Sequence, residues 1–129
     1  MIVDTSAIMA LLTKEPEAVK FGVALAEQRN VAISAATLVE LCTVAEGRAG
    51  AALWAEVEAL LADLEIEVVS FNAEQASLAR EGWRRFGKGR HPAGFNLGDC
   101  FAYALAQERG EPLLFKGEDF ARTDVRRAV

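Results

Sequence analysis

Four carboxylates stand in apolar or glycine-marked surroundings, far apart along the chain: Asp4, Glu40, Asp99 and Asp119. Asp4 follows Met1-Ile2-Val3, and Glu40 sits within Ala36-Thr37-Leu38-Val39-Glu40-Leu41. Asp99 opens the run Cys100-Phe101-Ala102-Tyr103-Ala104-Leu105-Ala106, and Asp119 follows Leu113-Leu114-Phe115-Lys116-Gly117. Acids are seldom buried unless a cation or a metal offsets their charge. Four of them converging would form a cage for a hard divalent cation, and such a cage implies phosphate chemistry.

Each acid also has a structural role to weigh. Asp4 in Asp4-Thr5-Ser6 is good N-cap chemistry, and Thr37 to Glu40 matches a capping box. Asn96 with Asp99 reads as a cap with a favourable first-turn acid, and Asp119 as a solvated turn residue beside Glu118. Singly, each of these readings is adequate. Four coincidences at one edge of one sheet are a poorer account than a shared site.

The elements that must position them alternate. Met1-Ile2-Val3, Val31-Ala32-Ile33, Ile66 to Phe71 and Leu113-Leu114-Phe115 read as strands, the third being the clearest because it is β-branched and aromatic. Helices are expected from the Asp4-Thr5-Ser6 start through Leu12, from Glu15-Pro16-Glu17 to near Asn30, and from Ser34 to Glu46 with Gly47 as its stop. Further helices run from Ala51 to Leu64, from the capped start at Asn72 to about Phe86, and from Leu97 to Arg109. Gly87 to Gly94 is a loop, and the tail from Asp119 to Val129 reads as a helical turn and an edge strand. This order predicts one α/β domain over residues 1–129 with a mainly parallel central sheet covered on both faces. Ligand sites in such sheets lie beyond the carboxyl ends of the strands, where all four acids can meet.

Composition narrows the functions. The chain has 129 residues, 52% of them apolar, and a net charge of −5. The apolar excess points to a partner surface or a homodimer face. A protein that coats duplex phosphates would be basic, so a nucleic-acid role must rest on a local site. Cys42 and Cys100 read as reduced core thiols, and no segment is long and apolar enough to span a membrane, which places the protein in the cytoplasm. His91 is the single histidine, excluding a Ser-His-Asp triad, a Cys-His pair and an HExxH zinc site.

Gly82 to Gly89 nearly spells a Walker A motif, but Gly89 stands where Ser or Thr is required. A receiver domain would need its acceptor Asp where Asn72 ends the third strand, and a haloacid-type phosphatase would need Asp-x-Asp where Asp4-Thr5-Ser6 stands. Arg84, Lys88, Arg90 and Lys116 are candidate contacts to a phosphate backbone.

Met1-Ile2-Val3-Asp4-Thr5-Ser6-Ala7, the Glu40 helix, Asn96-Leu97-Gly98-Asp99-Cys100-Phe101-Ala102-Tyr103-Ala104-Leu105-Ala106 and Leu113 to Phe120 together resemble the PIN-domain ribonucleases. More narrowly they are similar to the VapC toxins of type II toxin–antitoxin pairs. The resemblance covers the whole chain, in order. It implies a three-layer α/β/α fold, a Mg²⁺- or Mn²⁺-dependent endoribonuclease acting on RNA, homodimers, and inhibition by a VapB-type antitoxin whose C-terminal segment fills the active-site groove. By position it assigns metal binding to Asp4, Glu40, Asp99 and Asp119, and a supporting hydroxyl to Ser6. Many relatives carry Asp where Gly117 stands and Thr where Phe115 stands, so Asp119 serves either alone or with Glu118 or Asp124. The alternative is a catalytically silent PIN-like module that binds RNA or a partner.

Overall fold

The computed structural model describes residues 1–129. Its strands are β1 (Ile2–Val3), β2 (Ala32–Ser34), β3 (Glu67–Val69) and β4 (Leu113–Leu114), and its helices α1 (Thr5–Leu12), α2 (Ala18–Glu27), α3 (Ala35–Asp63), α4 (Ala73–Phe86) and α5 (Leu97–Arg109). All strand pairs are parallel, in the order β3-β2-β1-β4.

The sheet is buried on both faces, because successive residues of each central strand enter different cores. Val3, Ile33 and Leu114 pack with Ile8, Phe21, Leu25, Leu41 and Val57 from α1, α2 and α3. Ile2, Ala32 and Leu113 pack with Ala79, Phe86, Tyr103 and Leu105 from α4 and α5. Side chains alternate across a strand, so two residues suffice to join both layers. This is the expected three-layer α/β/α arrangement.

Several boundaries differ from the sequence reading; the helix expected from Glu15-Pro16-Glu17 to near Asn30 spans Ala18–Glu27. The Ile66 to Phe71 strand shrinks to Glu67–Val69, an edge strand with an exposed Glu67 and Val68. Its β-branched run packs on one neighbour only. Gly47 does not stop its helix: α3 runs on and breaks at Ala49 and Gly50, where Gly50 takes φ +75°. That left-handed conformation suits glycine, whereas Gly47 keeps helical geometry. The tail forms a short 3-10 turn at Phe120–Arg122 and one parallel bridge between Arg127 and Leu113 instead of a full edge strand. Cys100 is buried and Cys42 half-buried, and both are free thiols.

Helices α4 and α5 press closely together. A Cβ placed on Gly82 would stand 2.6 Å from Cδ1 of the Tyr103 ring. Tyr103 is itself buried against Phe86 and Phe95. Gly82→Val is therefore expected to destabilise the fold by about 1–3 kcal/mol through overpacking, lowering the melting temperature by several degrees. An unchanged melt would mean that this contact is looser than described.

Candidate metal and phosphodiester site

β1 delivers Asp4 to the carboxyl edge of the sheet, where the backbone N–H of Asp4 donates to the Leu114 carbonyl at 3.0 Å. Asp4 is 4% exposed and uses its two oxygens differently. Oδ2 caps α1, accepting from the Ser6 N–H at 3.0 Å and the Ser6 hydroxyl at 2.6 Å. Oδ1 is buried and has no partner. Capping and ligand binding are thus both available to one carboxylate. Ser6 Oγ in turn accepts from the Lys116 N–H at 3.0 Å, which ties the loop after β4 to the same acid.

Ser34 caps α3, accepting from the Ala36 N–H. Glu40 therefore lies well inside that helix, and the capping-box reading at Thr37 does not apply. The Thr5 hydroxyl donates to Glu40 Oε1 at 2.6 Å and fixes its direction. The Glu40 carboxylate lies so close to Gly98 that a Cβ there would overlap it. Gly98 is the backbone clearance that lets α3 and α5 bring their acids together.

Asn96 and Asp99 form a full capping box at the start of α5, with both N–H···O distances 3.0 Å. Asp99 nevertheless lines the same cavity as Asp4 and Glu40. That open cavity of about 240 Å³ is bounded by Asp4, Thr5, Ser6, Met9, Glu40, Val44, Arg48 and Asp99.

The electrostatics are those of crowded acids in a partly dry place. Burial pushes the Asp4 carboxyl up to about 6; hydrogen bonds from Ser6 oppose the rise and the Glu40 charge adds to it. Burial pushes Asp99 up to about 7, opposed by the Asn96 N–H and reinforced by Asp4, Asp119 and Glu40.

Asp119 is placed less closely. It is exposed, precedes the Phe120–Arg122 turn and makes no capping hydrogen bond. Its charge reaches Asp99, but it does not line the cavity. Gly117 takes φ +98° and Phe115 is buried against Phe120, so this loop uses those two positions for its turn and its packing. Asp124 lies elsewhere, held by Arg85 at 3.0 Å and by Gln107.

Four basic residues were candidates for phosphate contact. Lys116 has its ammonium taken up by Glu15 and Glu17. Arg90 stacks over the Trp83 ring at 4.2 Å, while Arg84 and Lys88 are exposed. None of these three lines the acidic cavity. Arg48 does, and the sequence reading missed it. The signal was present: Glu40, Val44 and Arg48 are spaced i, i+4, i+8 and so share one face of α3. Thr5 was the second omission.

The fit to a hard divalent cation is mixed in a physically informative way. A carboxylate with one buried, unpartnered oxygen, lining a cavity with two further acids, is the right donor chemistry. No three acids, thiols or imidazoles stand close enough to ligate one ion directly. Mg²⁺ keeps several of its waters and binds through one or two carboxylates, so direct ligation by three acids is not required.

Comparison with known proteins places the chain. The PIN domain family model matches residues 1–126. The chain belongs to the PIN-domain family. Within that family it falls among the VapC ribonucleases: it is 46% identical over 125 residues to Ribonuclease VapC of Mycolicibacterium smegmatis, covering 97% of each chain. It is also 44% identical over 125 residues to Ribonuclease VapC30 of Mycobacterium tuberculosis, covering 97% of this chain and 95% of that one. Among solved structures, VapC20 of Mycobacterium tuberculosis, described as a sarcin-ricin loop cleaving toxin, superposes with a TM-score of 0.77 at 20% identity over 96% of this chain and 95% of that one. VapBC2 from Rickettsia felis, bound to a DNA fragment of its promoter, gives 0.75 at 16% identity over 98% and 94%. At those identities the two structures attest the fold alone.

Proposed function

We propose that this protein is a Mg²⁺- or Mn²⁺-dependent endoribonuclease toxin whose centre is the cavity between Asp4, Glu40 and Asp99. The observation that carries the reading is that Asp4, whose buried Oδ1 has no hydrogen-bond partner, lines one cavity with Glu40 and Asp99 at the carboxyl edge of the sheet. Asp4 and Asp99 would hold the principal ion, with Glu40 and Asp119 completing the acidic cluster. A divalent ion bound there supplies Lewis-acid polarisation of the phosphodiester and a water activated at neutral pH.

The chain's own residues prepare that chemistry. Ser6 holds Asp4 Oδ2 and leaves Oδ1 for the ion. Thr5 occupies Glu40 Oε1 and Gly98 leaves room for its carboxylate, which together fix the acid that would orient the attacking water. Asp99 is fixed through Oδ2 by the Asn96 N–H. No imidazole is required, which agrees with the position of His91, whose Nδ1 accepts from the Ala93 N–H within its own loop.

The regulatory half of the reading is a VapB-type antitoxin acting on a homodimer in the cytoplasm. Two of the relatives by fold are toxin–antitoxin complexes. An acidic cavity is a receptor for an inserted arginine, which would pair with the carboxylates in place of the metal. Apolar side chains left at the surface, Val19 at 80% and Leu97 at 71% exposed, supply material for protein interfaces. No helix is long and apolar enough to cross a membrane.

The test uses defined structured RNAs, tRNAs included, with protein freed of any co-purified antitoxin. Cutting at discrete positions is expected with Mg²⁺ or Mn²⁺ and none with EDTA or with Asp4→Ala. Folded protein that binds Mn²⁺ yet leaves every RNA intact would instead favour a module that binds without cleaving.

A further inference from the structure

The acidic cavity poses a problem for a polyanionic substrate. Three carboxylates line it, and Arg48 is the one cation that does. Arg48 is exposed, and it makes no side-chain hydrogen bond and no ion pair with any acid. Of the other candidate cations, Lys116 is engaged by Glu15 and Glu17 and Arg90 lies on Trp83, while Arg84 and Lys88 do not line the cavity. A guanidinium beside three carboxylates that pairs with none of them is available to another anion.

Its position is set by the backbone. Arg48 is the last residue of the first, regular part of α3, because Ala49 and Gly50 leave helical geometry. It lies two turns beyond Glu40 on the same face, with Val44 between them. Glu40 and Arg48 thus stand about 12 Å apart along the helix at a rise of 1.5 Å per residue.

We infer that Arg48 is a substrate-positioning residue, binding by its planar fork a phosphate of the RNA strand that flanks the one held over Asp4, Glu40 and Asp99. This rests on the ribonuclease reading above. A guanidinium suits the task because it pairs with two phosphate oxygens at once and is never deprotonated at working pH. Being exposed, it contributes little to folding, so its removal isolates the effect on substrate.

The experiment is steady-state cleavage of one cut RNA by the full chain across a series of salt concentrations, for wild type, Arg48→Gln and Arg48→Lys. Arg48→Gln is expected to raise KM on the order of tenfold, to change kcat less than about threefold, and to melt as wild type does. The slope of log KM against log salt should fall by about 0.7, the loss of one single-strand phosphate contact. Arg48→Lys should recover the slope and only part of KM. Unchanged KM and slope in Arg48→Gln would overturn the inference, and so would a kcat loss at constant KM. A wild-type protein that cuts no RNA would overturn the ribonuclease reading and this inference together; a cutting wild type with an unaffected Arg48→Gln overturns the inference alone.

Discussion

Asp99→Asn should abolish RNA cleavage and, in the same protein, raise the stability of the metal-free fold at pH 8. The two effects have one cause. In the folded chain the Asp99 carboxyl is raised from 3.8 to about 7 and Asp4 from 3.8 to about 6, so both resist ionisation. A raised carboxyl contributes most below the unfolded value, where both states are protonated. The contribution is lost as pH climbs through the folded value, because the unfolded chain gives up its proton more readily. Metal-free wild type should therefore melt at a higher temperature near pH 5 than near pH 8.

Asparagine carries no charge and keeps an oxygen to accept from the Asn96 N–H, so the capping box survives. Allowing for the partial exposure of Asp99, the gain at pH 8 is roughly 1–3 kcal/mol, with a flatter pH profile. Saturating Mn²⁺ should reverse the order, since only wild type gains from the bound ion. Thermal melts at the two pH values, with EDTA and with Mn²⁺, check every part of this. An Asp99→Asn protein that is stabilised and fully active would remove Asp99 from the centre.

Gly98→Ala is the second change with a large expected effect. One methyl group would occupy the place of the Glu40 carboxylate. That carboxylate is not a free-swinging end, since Thr5 holds it at 2.6 Å. Either the helices part or Glu40 leaves its position, at about 1–3 kcal/mol for the overpacking. Cleavage should fall on the order of a hundredfold or more, because a misplacement of about 1 Å at a reacting centre has that cost.

A double substitution separates the two consequences. Gly98→Ala with Glu40→Ala should regain the stability that Gly98→Ala loses, while activity stays lost. The coupling between the sites, read from a double-mutant cycle of melts, should be of order 1 kcal/mol or more. Additive effects would mean that Gly98 and Glu40 do not meet.

Burial in conflict with charge is what marked the acids of this site in the sequence. Asp4, Glu40 and Asp99 stand out because apolar neighbours flank them, and the structure brings those three to one cavity. Asp119 was legible only as the fourth acid of a pattern; its exposed place before a 3-10 turn depends on Gly117 and on the packing of Phe115, which no local spacing reveals. The capping readings were not rivals after all at Asp4 and Asp99, since a carboxylate has two oxygens and can cap with one.

Other features were hidden for different reasons. Lys116 reads as a phosphate ligand until the fold sets it against Glu15 and Glu17, a hundred residues earlier. Arg48 was obscured by Gly47, which looked like a helix stop and hid the i+8 relation to Glu40. Which of two nearby glycines breaks a helix depends on which takes the left-handed conformation, and the two residues are chemically identical. The parallel sheet was the easiest feature to read, because strands buried on both faces need continuous apolar runs and Ile2-Val3, Ala32-Ile33 and Leu113-Leu114 are such runs.

The measurement that bears most directly on the central claim pairs binding with turnover in one preparation. Mn²⁺ bound to the protein and the RNA cleavage rate would be titrated together, for wild type and for Asp99→Asn. The account predicts that rate follows occupancy in wild type, that EDTA abolishes both, and that the variant, folded and stabilised, loses both. Cleavage that persists without metal, or in Asp99→Asn, would contradict it.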